Sequence, residues 1–259
     1  MNKKPIIIFV IIFVFLATGF ISFYFYKEKN SQLFQISEKI IDFSEESKQD
    51  NYKISYKYPE FSGIKNEAAQ NKINESIKNS AYFYADKFKS DAKINCDFSG
   101  LGEYAPSWMC EFDVAFNDYK ITANEILSVQ MEYYQFTGGA HGNTNYVITN
   151  YDIKTGEKID WRQIFLMNSD FFQKISELSF KNLKEKLTTG ETPLSNDEWI
   201  KEGTAPNEEN YNTNVGFTEN GLLIIFQQYQ VAPYAAGPQE VIIPYQNIEN
   251  FLNLSVLLQ

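Results

Sequence analysis

His141 is the sole histidine in a chain of 259 residues, and it sits in FTGGAHG, residues 136–142. As a general base it would need a nucleophile or an orienting carboxylate within hydrogen-bond reach. The sequence offers no GxSxG elbow, HExxH helix or Walker loop to supply a known constellation. A zinc site takes three or four ligands, so one histidine and two cysteines would have to recruit several carboxylates. No catalytic residue, metal or cofactor is therefore expected, and the rival readings are a wall-polymer hydrolase or deacetylase acting through His141 and a structural partner of an envelope complex. Gly138, Gly139 and Gly142 permit positive φ, and paired glycines between strand-like runs mark a hairpin. Tyr133, Tyr134, Phe136 and Tyr146 flank this turn, a rigid contact surface with polar tips, although alternate members of such a set face the core. A second punctuated stretch, QQYQVAPYAAGPQEVIIPY (residues 227–245), is bent by Pro233, Gly237, Pro238 and Pro244, with Tyr229 and Tyr234 at the mouth of its loop. Tyr134, Gly138, Gly139, His141, Tyr229 and Tyr234 are the candidate ligand- or partner-binding residues.

The elements that must position them follow from periodicity. YKISYKYPEF alternates like a strand, and Ala69, Ile73, Ile77, Ala81, Tyr84 and Phe88 recur at helical spacing over Asn66–Lys89. EILSVQMEYYQF and TNYVITNYD predict strands on either side of the glycine turn, and YDIKTGEKIDWRQIF predicts a hairpin on KTGE. Ser169–Leu187 carries a second helical face, a short helix is expected near Asn196–Lys201, and NVGFTE, GLLIIFQQYQV and EVIIPY close the chain as strands before a short helix at QNIENFL. Helices packed on antiparallel strands give an α+β fold in two abutting parts, preceded by one transmembrane helix.

Ile6–Tyr26 runs 21 residues without a charge, behind Lys3 and Lys4; about 20 apolar residues cross a bilayer. The alternative, a signal peptide cleaved near Ala17–Gly19, usually has an apolar core of only about 7–15 residues. The long run and its aromatic end, with Tyr24 and Tyr26, favour an uncleaved signal anchor that leaves the rest outside the cytoplasm. The expected division is residues 1–29 as anchor, 30–50 as a polar stalk with a short helix, 51–150 and 151–259 as two α+β domains. Cys96 and Cys110 lie in strand-like runs around turn-formers, and a hairpin would bring them face to face as a structural disulfide. The whole chain carries −10; without Lys3 and Lys4, 21 basic residues face 33 acidic ones, a balance of −12. That surface repels nucleic acid and attracts basic partners.

The stretch FTGGAHGNTNYVITNYDIKTGEKIDWRQIF followed by GLLIIFQQYQVAPYAAGPQEVIIPY resembles paired domains of unknown function in exported bacterial proteins. These include lysozyme-sensing anti-sigma factors of the RsiV type and the non-catalytic N-terminal region of PdaC-type peptidoglycan deacetylases. The likeness covers roughly Tyr52–Leu252, with a PdaC-like first domain and an RsiV-like second. It implies an extracytoplasmic α+β module that binds rather than turns over a ligand, with lysozyme or another basic envelope protein as partner. Five residues precede the apolar run and the chain ends soon after the last family strand, so neither an anti-sigma nor a deacetylase domain is expected.

Overall fold

A computed structural model describes residues 36–96, 100, 110–122, 126–189, 193–212 and 214–253. The expected membrane segment, residues 6–26, lies outside them; none of the described helices is long and apolar enough to cross a membrane.

Six strands form the first sheet in sequence order: β1 (Ser37–Ser47), β2 (Tyr52–Ser62), β3 (Cys110–Ile121), β4 (Ile126–Phe136), β5 (Asn143–Asp152) and β6 (Lys158–Ile159). All neighbours are antiparallel except β2 and β3, so the sheet is mixed rather than purely antiparallel as expected. The parallel pair is joined by α1 (Glu67–Asn95), because two strands running the same way need a crossover to return the chain. Asn66 starts that helix by accepting from the backbone N–H groups of Ala68 and Ala69. Ile73, Ile77, Ala81, Ala85 and Phe88 then bury one stripe against Ile54, Tyr56, Phe112, Val129 and Tyr133 of the sheet.

Three expectations are corrected here. Residues 37–47, read as part of a stalk with a short helix, are an edge strand paired along β2. The KTGE hairpin, placed with the second part, belongs to the first: β6 pairs with β5, and Asn66 donates to the Lys154 carbonyl at 2.8 Å. Cys96 and Cys110 are disulfide-bonded as expected, with Cα atoms 6.0 Å apart. They join the end of α1 to the start of β3, however, and not two strands of a hairpin.

The second part holds α2 (Trp161–Ile164), α3 (Ser169–Thr188), α4 (Asp197–Gly203) and an antiparallel sheet of β7 (Val215–Phe217), β8 (Gly221–Phe226) and β9 (Gln239–Pro244). Every residue of β8 is buried. Leu222, Ile224 and Phe226 pack with Phe171, Ile175 and Leu183 of α3, while Leu223 and Ile225 pack with Ile148 of β5. The two parts therefore abut through a core of their own. Two polar ties cross it: Asn150 donates to the Val215 carbonyl at 2.9 Å, and the Phe217 N–H donates to Ser128 Oγ at 2.8 Å.

Candidate functional site

The loop of residues 137–142 closes the β4–β5 hairpin, with Gly138 at φ 108° and Gly139 at φ 95°, values that suit glycine and strain other residues. It presents His141 at the surface. The His141 Nδ1 lies 2.8 Å from the Gly142 carbonyl. A carbonyl only accepts, so Nδ1 donates in this contact, and Nε2 lies 3.2 Å from the Tyr229 hydroxyl. The imidazole also stacks on Tyr234, with centroids 4.3 Å apart at 23°, and Tyr229 and Tyr234 lie 5.7 Å apart.

Tyr134 supports this group from β4. A Cβ at Gly142 would stand 2.3 Å from the tip of the Tyr134 ring, so a larger residue there would push that ring aside. Burial pushes the Tyr134 phenol above its ordinary pKa, reinforced by Glu111, Tyr234 and Asp113, while a hydrogen bond from the Gly142 backbone lowers it. The β3–β4 register sets Asp113 across from Tyr134 and Glu111 across from Phe136. Tyr146, on the same face of β5, is pushed up to about 12, first by burial and then by Glu132.

The other half of the cluster is held by the loop after β8. Tyr229 has φ 67°, which a bulky residue adopts only when its surroundings enforce it. They do: Trp199 Nε1 on α4 donates to the Tyr229 carbonyl at 3.0 Å, and the Gln230 N–H donates to the Gln227 carbonyl at 3.0 Å. Gln230 Nε2 in turn donates to the Gly203 and Asn210 carbonyls. Gln227 fastens the loop to the first sheet, its amide accepting from the Tyr146 N–H at 2.9 Å and donating to the Tyr146 carbonyl at 2.7 Å. Tyr234 opens a short 3-10 turn ended by Gly237 at φ 68°.

All six sequence-predicted site residues thus lie on two adjoining loops and the end of β4. Trp199, Gln227 and Gln230 were missed, since side-chain amides and an indole bonding to distant carbonyls leave no periodic trace. Among the described residues, no group of three or more His, Cys, Asp or Glu side chains could hold a metal ion.

Residues 45–144 match the family described as deacetylase PdaC, and residues 162–246 match a protein family of unknown function, DUF3298. The peptidoglycan-N-acetylmuramic acid deacetylase PdaC of Bacillus subtilis is 30% identical over 137 residues, which cover 52% of this chain and 28% of that protein. The crystal structure of a DUF3298 member from Bacteroides fragilis aligns over 85% of this chain and 95% of its own, at TM-score 0.60 and 16% identity, and so shares the fold. The chain carries a PdaC-type domain followed by a DUF3298 domain, and it is a distant homologue of the deacetylase, spanning little more than a quarter of that protein's length.

Proposed function

We propose that this chain is an extracytoplasmic binding module of the bacterial cell envelope, anchored through residues 6–26, whose contact surface is the aromatic cluster around His141. One observation carries the reading: His141, Tyr229 and Tyr234 come from segments 88 residues apart and meet at an accessible surface, with Tyr229 held at positive φ. Strain enforced by several hydrogen bonds is a reason to look for function at that place. Aromatic side chains with polar tips are what protein interfaces concentrate at their centres. Glu111 and Asp113 beside them, on a chain of net charge −10, suit a basic partner, of which lysozyme is the sharpest candidate. The disulfide fits an oxidising compartment, as does kinship to a deacetylase of peptidoglycan.

A pull-down with a panel of lysozymes, using the full chain in detergent, tests this. Capture at low salt that Tyr234→Ala removes is expected; no capture of any of them at low salt would sink the reading.

The match of residues 45–144 to deacetylase PdaC favours a second reading, wall-polymer deacetylation through His141. Against it, both ring nitrogens of His141 are already engaged, by Gly142 and Tyr229. That reading requires His141→Ala to abolish acetate release from peptidoglycan while leaving the fold intact.

A further inference from the structure

β1 closes the first sheet three strands away from β4, whose hairpin carries His141. It pairs with β2 on one side and has no strand neighbour on the other among the described residues. The outward N–H and C=O groups of such an edge are a template for another strand. Proteins blunt a bare edge with a proline, a bulge or a very short strand. β1 has none of these: SEKIIDFSEES lacks proline and pairs with β2 at every position from Ser37 to Ser47 without a shift of register.

Charge is the remaining guard, and it is largely cancelled on the spot. Asp42 pairs with Lys57 of β2 at 3.7 Å, Glu45 pairs with Lys89 of α1 at 2.5 Å, and Glu46 lies across from Lys53. Three of the four acids of β1 therefore meet a lysine. On a chain of net charge −10, this is a stretch that a second, equally acidic copy can approach without strong repulsion. Apolar surface is concentrated there too. Ile40 and Phe43, on opposite faces of the strand, are both exposed. Phe43 is held in place by stacking on buried Tyr56, with centroids 4.5 Å apart at 13°. α1 packs chiefly over β2 and β3, which leaves room beside β1 for a neighbour.

Two copies of one strand pair antiparallel about a two-fold axis normal to the sheet, and the strand's own sequence then selects the register. An axis through Asp42 sets that carboxylate against its copy, and an axis through Ile40 sets Glu38 against Asp42. Through Phe43, both Ile40 and Ile41 face glutamates. An axis through Ile41 sets no like charges opposite each other. Ile41 then meets its copy, Lys39 lies across from the Phe43 ring with Glu45 on the diagonal, and Glu38 faces Ser44. Ile40 faces Asp42, whose charge Lys57 already meets.

We propose that β1 pairs antiparallel with the β1 of a second copy of this chain about a two-fold axis at Ile41, joining the two sheets edge to edge. Cys96 and Cys110 are bonded to each other and the chain has no other cysteine, so a cysteine placed in β1 is the lone free thiol. The full chain in detergent, carrying one cysteine at a time from Lys39→Cys to Phe43→Cys, is oxidised and run on a non-reducing gel. Ile41→Cys is expected to crosslink best, because residues facing each other across antiparallel strands have Cα atoms about 4.5–5.5 Å apart, within disulfide reach. Lys39→Cys and Phe43→Cys should crosslink least, since their copies lie about 13 Å apart along the strands. Adding Ile40→Asp to Ile41→Cys sets carboxylates against Asp42 on both sides of the axis, and should lower the yield about tenfold. Ile40 is exposed, and circular dichroism confirms that the variant folds. Tyr234→Ala should leave the crosslink unchanged, so this edge and the His141 surface succeed or fail separately. No crosslink at Ile41→Cys overturns the proposal, as it would if β1 were covered by an extended peptide or by another segment of its own chain. A higher yield elsewhere in the strand, or equal yields at all positions as in a parallel pair, overturns it as well.

Discussion

The two sheets are built on opposite terms. β8 is buried on both faces, one side against α3 and the other against β5, and its sequence GLLIIF is continuously apolar. β2 and β3 bury one face under α1 and leave much of the other open, so Ile54, Tyr56 and Tyr58 alternate with Lys53, Ser55 and Lys57. The smaller sheet thus needs the larger one as a wall, whereas the larger keeps a partly open face and a loop-rich end. The His141 cluster lies where the enclosed sheet sends its loops over that open end. A cluster made this way depends on the junction as much as on its own side chains.

The strongest way to break the comparison is to hollow out the shared wall. Ile225→Ala removes a side chain with no exposure between the sheets, and it is expected to cost about 2–5 kcal/mol in urea denaturation. A cost under about 1 kcal/mol would mean that β8 does not lean on the first sheet. Next is the covalent tie within the first part. Replacing Cys96 and Cys110 by serine frees a crosslink across a sequence separation of 14, and should cost about 3 kcal/mol by loss of loop constraint. Because the bond ends α1 rather than touching the junction, lysozyme capture by the folded fraction should persist. Third, Asn150→Ala leaves Ser128 Oγ and the Val215 carbonyl without the partners they have at 2.6 and 2.9 Å. A loss of about 1–3 kcal/mol is expected, measurable by thermal melting.

The smallest effect probes the open face. Burial raises the pKa of Asp113, against a Ser55 hydrogen bond and the charges of Lys53 and Lys57, which lower it. A carboxyl whose folded pKa exceeds its unfolded one favours the folded state when protonated, and that contribution is lost as pH rises through the folded value. Asp113→Asn should therefore be slightly more stable at neutral pH, by no more than about 0.5 kcal/mol, with the difference vanishing in acid. Melting both proteins across pH 3–7 (roughly, the carboxylate range) checks the sign. A variant less stable at neutral pH would show that Asp113 is held mainly by its lysines.

Much of this was legible in the chain, and the failures have physical causes. α1 was readable because one buried stripe repeats at three and four from Ala69 to Phe88. β1 was not: Ile36, Ile40, Ile41 and Phe43 sit at a near-helical spacing, but the strand is mostly exposed and so carries no alternation. Its conformation is fixed by hydrogen bonds to β2, a pairing that no local pattern encodes. The cysteine partners were found, while the elements they join were not, because a helix end and a strand start lie as near each other as two strands would. At the site, glycine and proline punctuation pointed to His141, Tyr229 and Tyr234 separately. Their meeting depends on Gln227 and Trp199 bonding to backbone groups far along the chain.

The claim that this junction surface is a contact site for a basic envelope protein is tested most directly by calorimetric titration of lysozyme into the full chain at several salt concentrations. The account predicts binding that weakens steadily as salt rises, and a loss of at least about 2 kcal/mol for Tyr229→Ala combined with Tyr234→Ala. Binding that is unchanged in that double variant, or absent at the lowest salt, would contradict it.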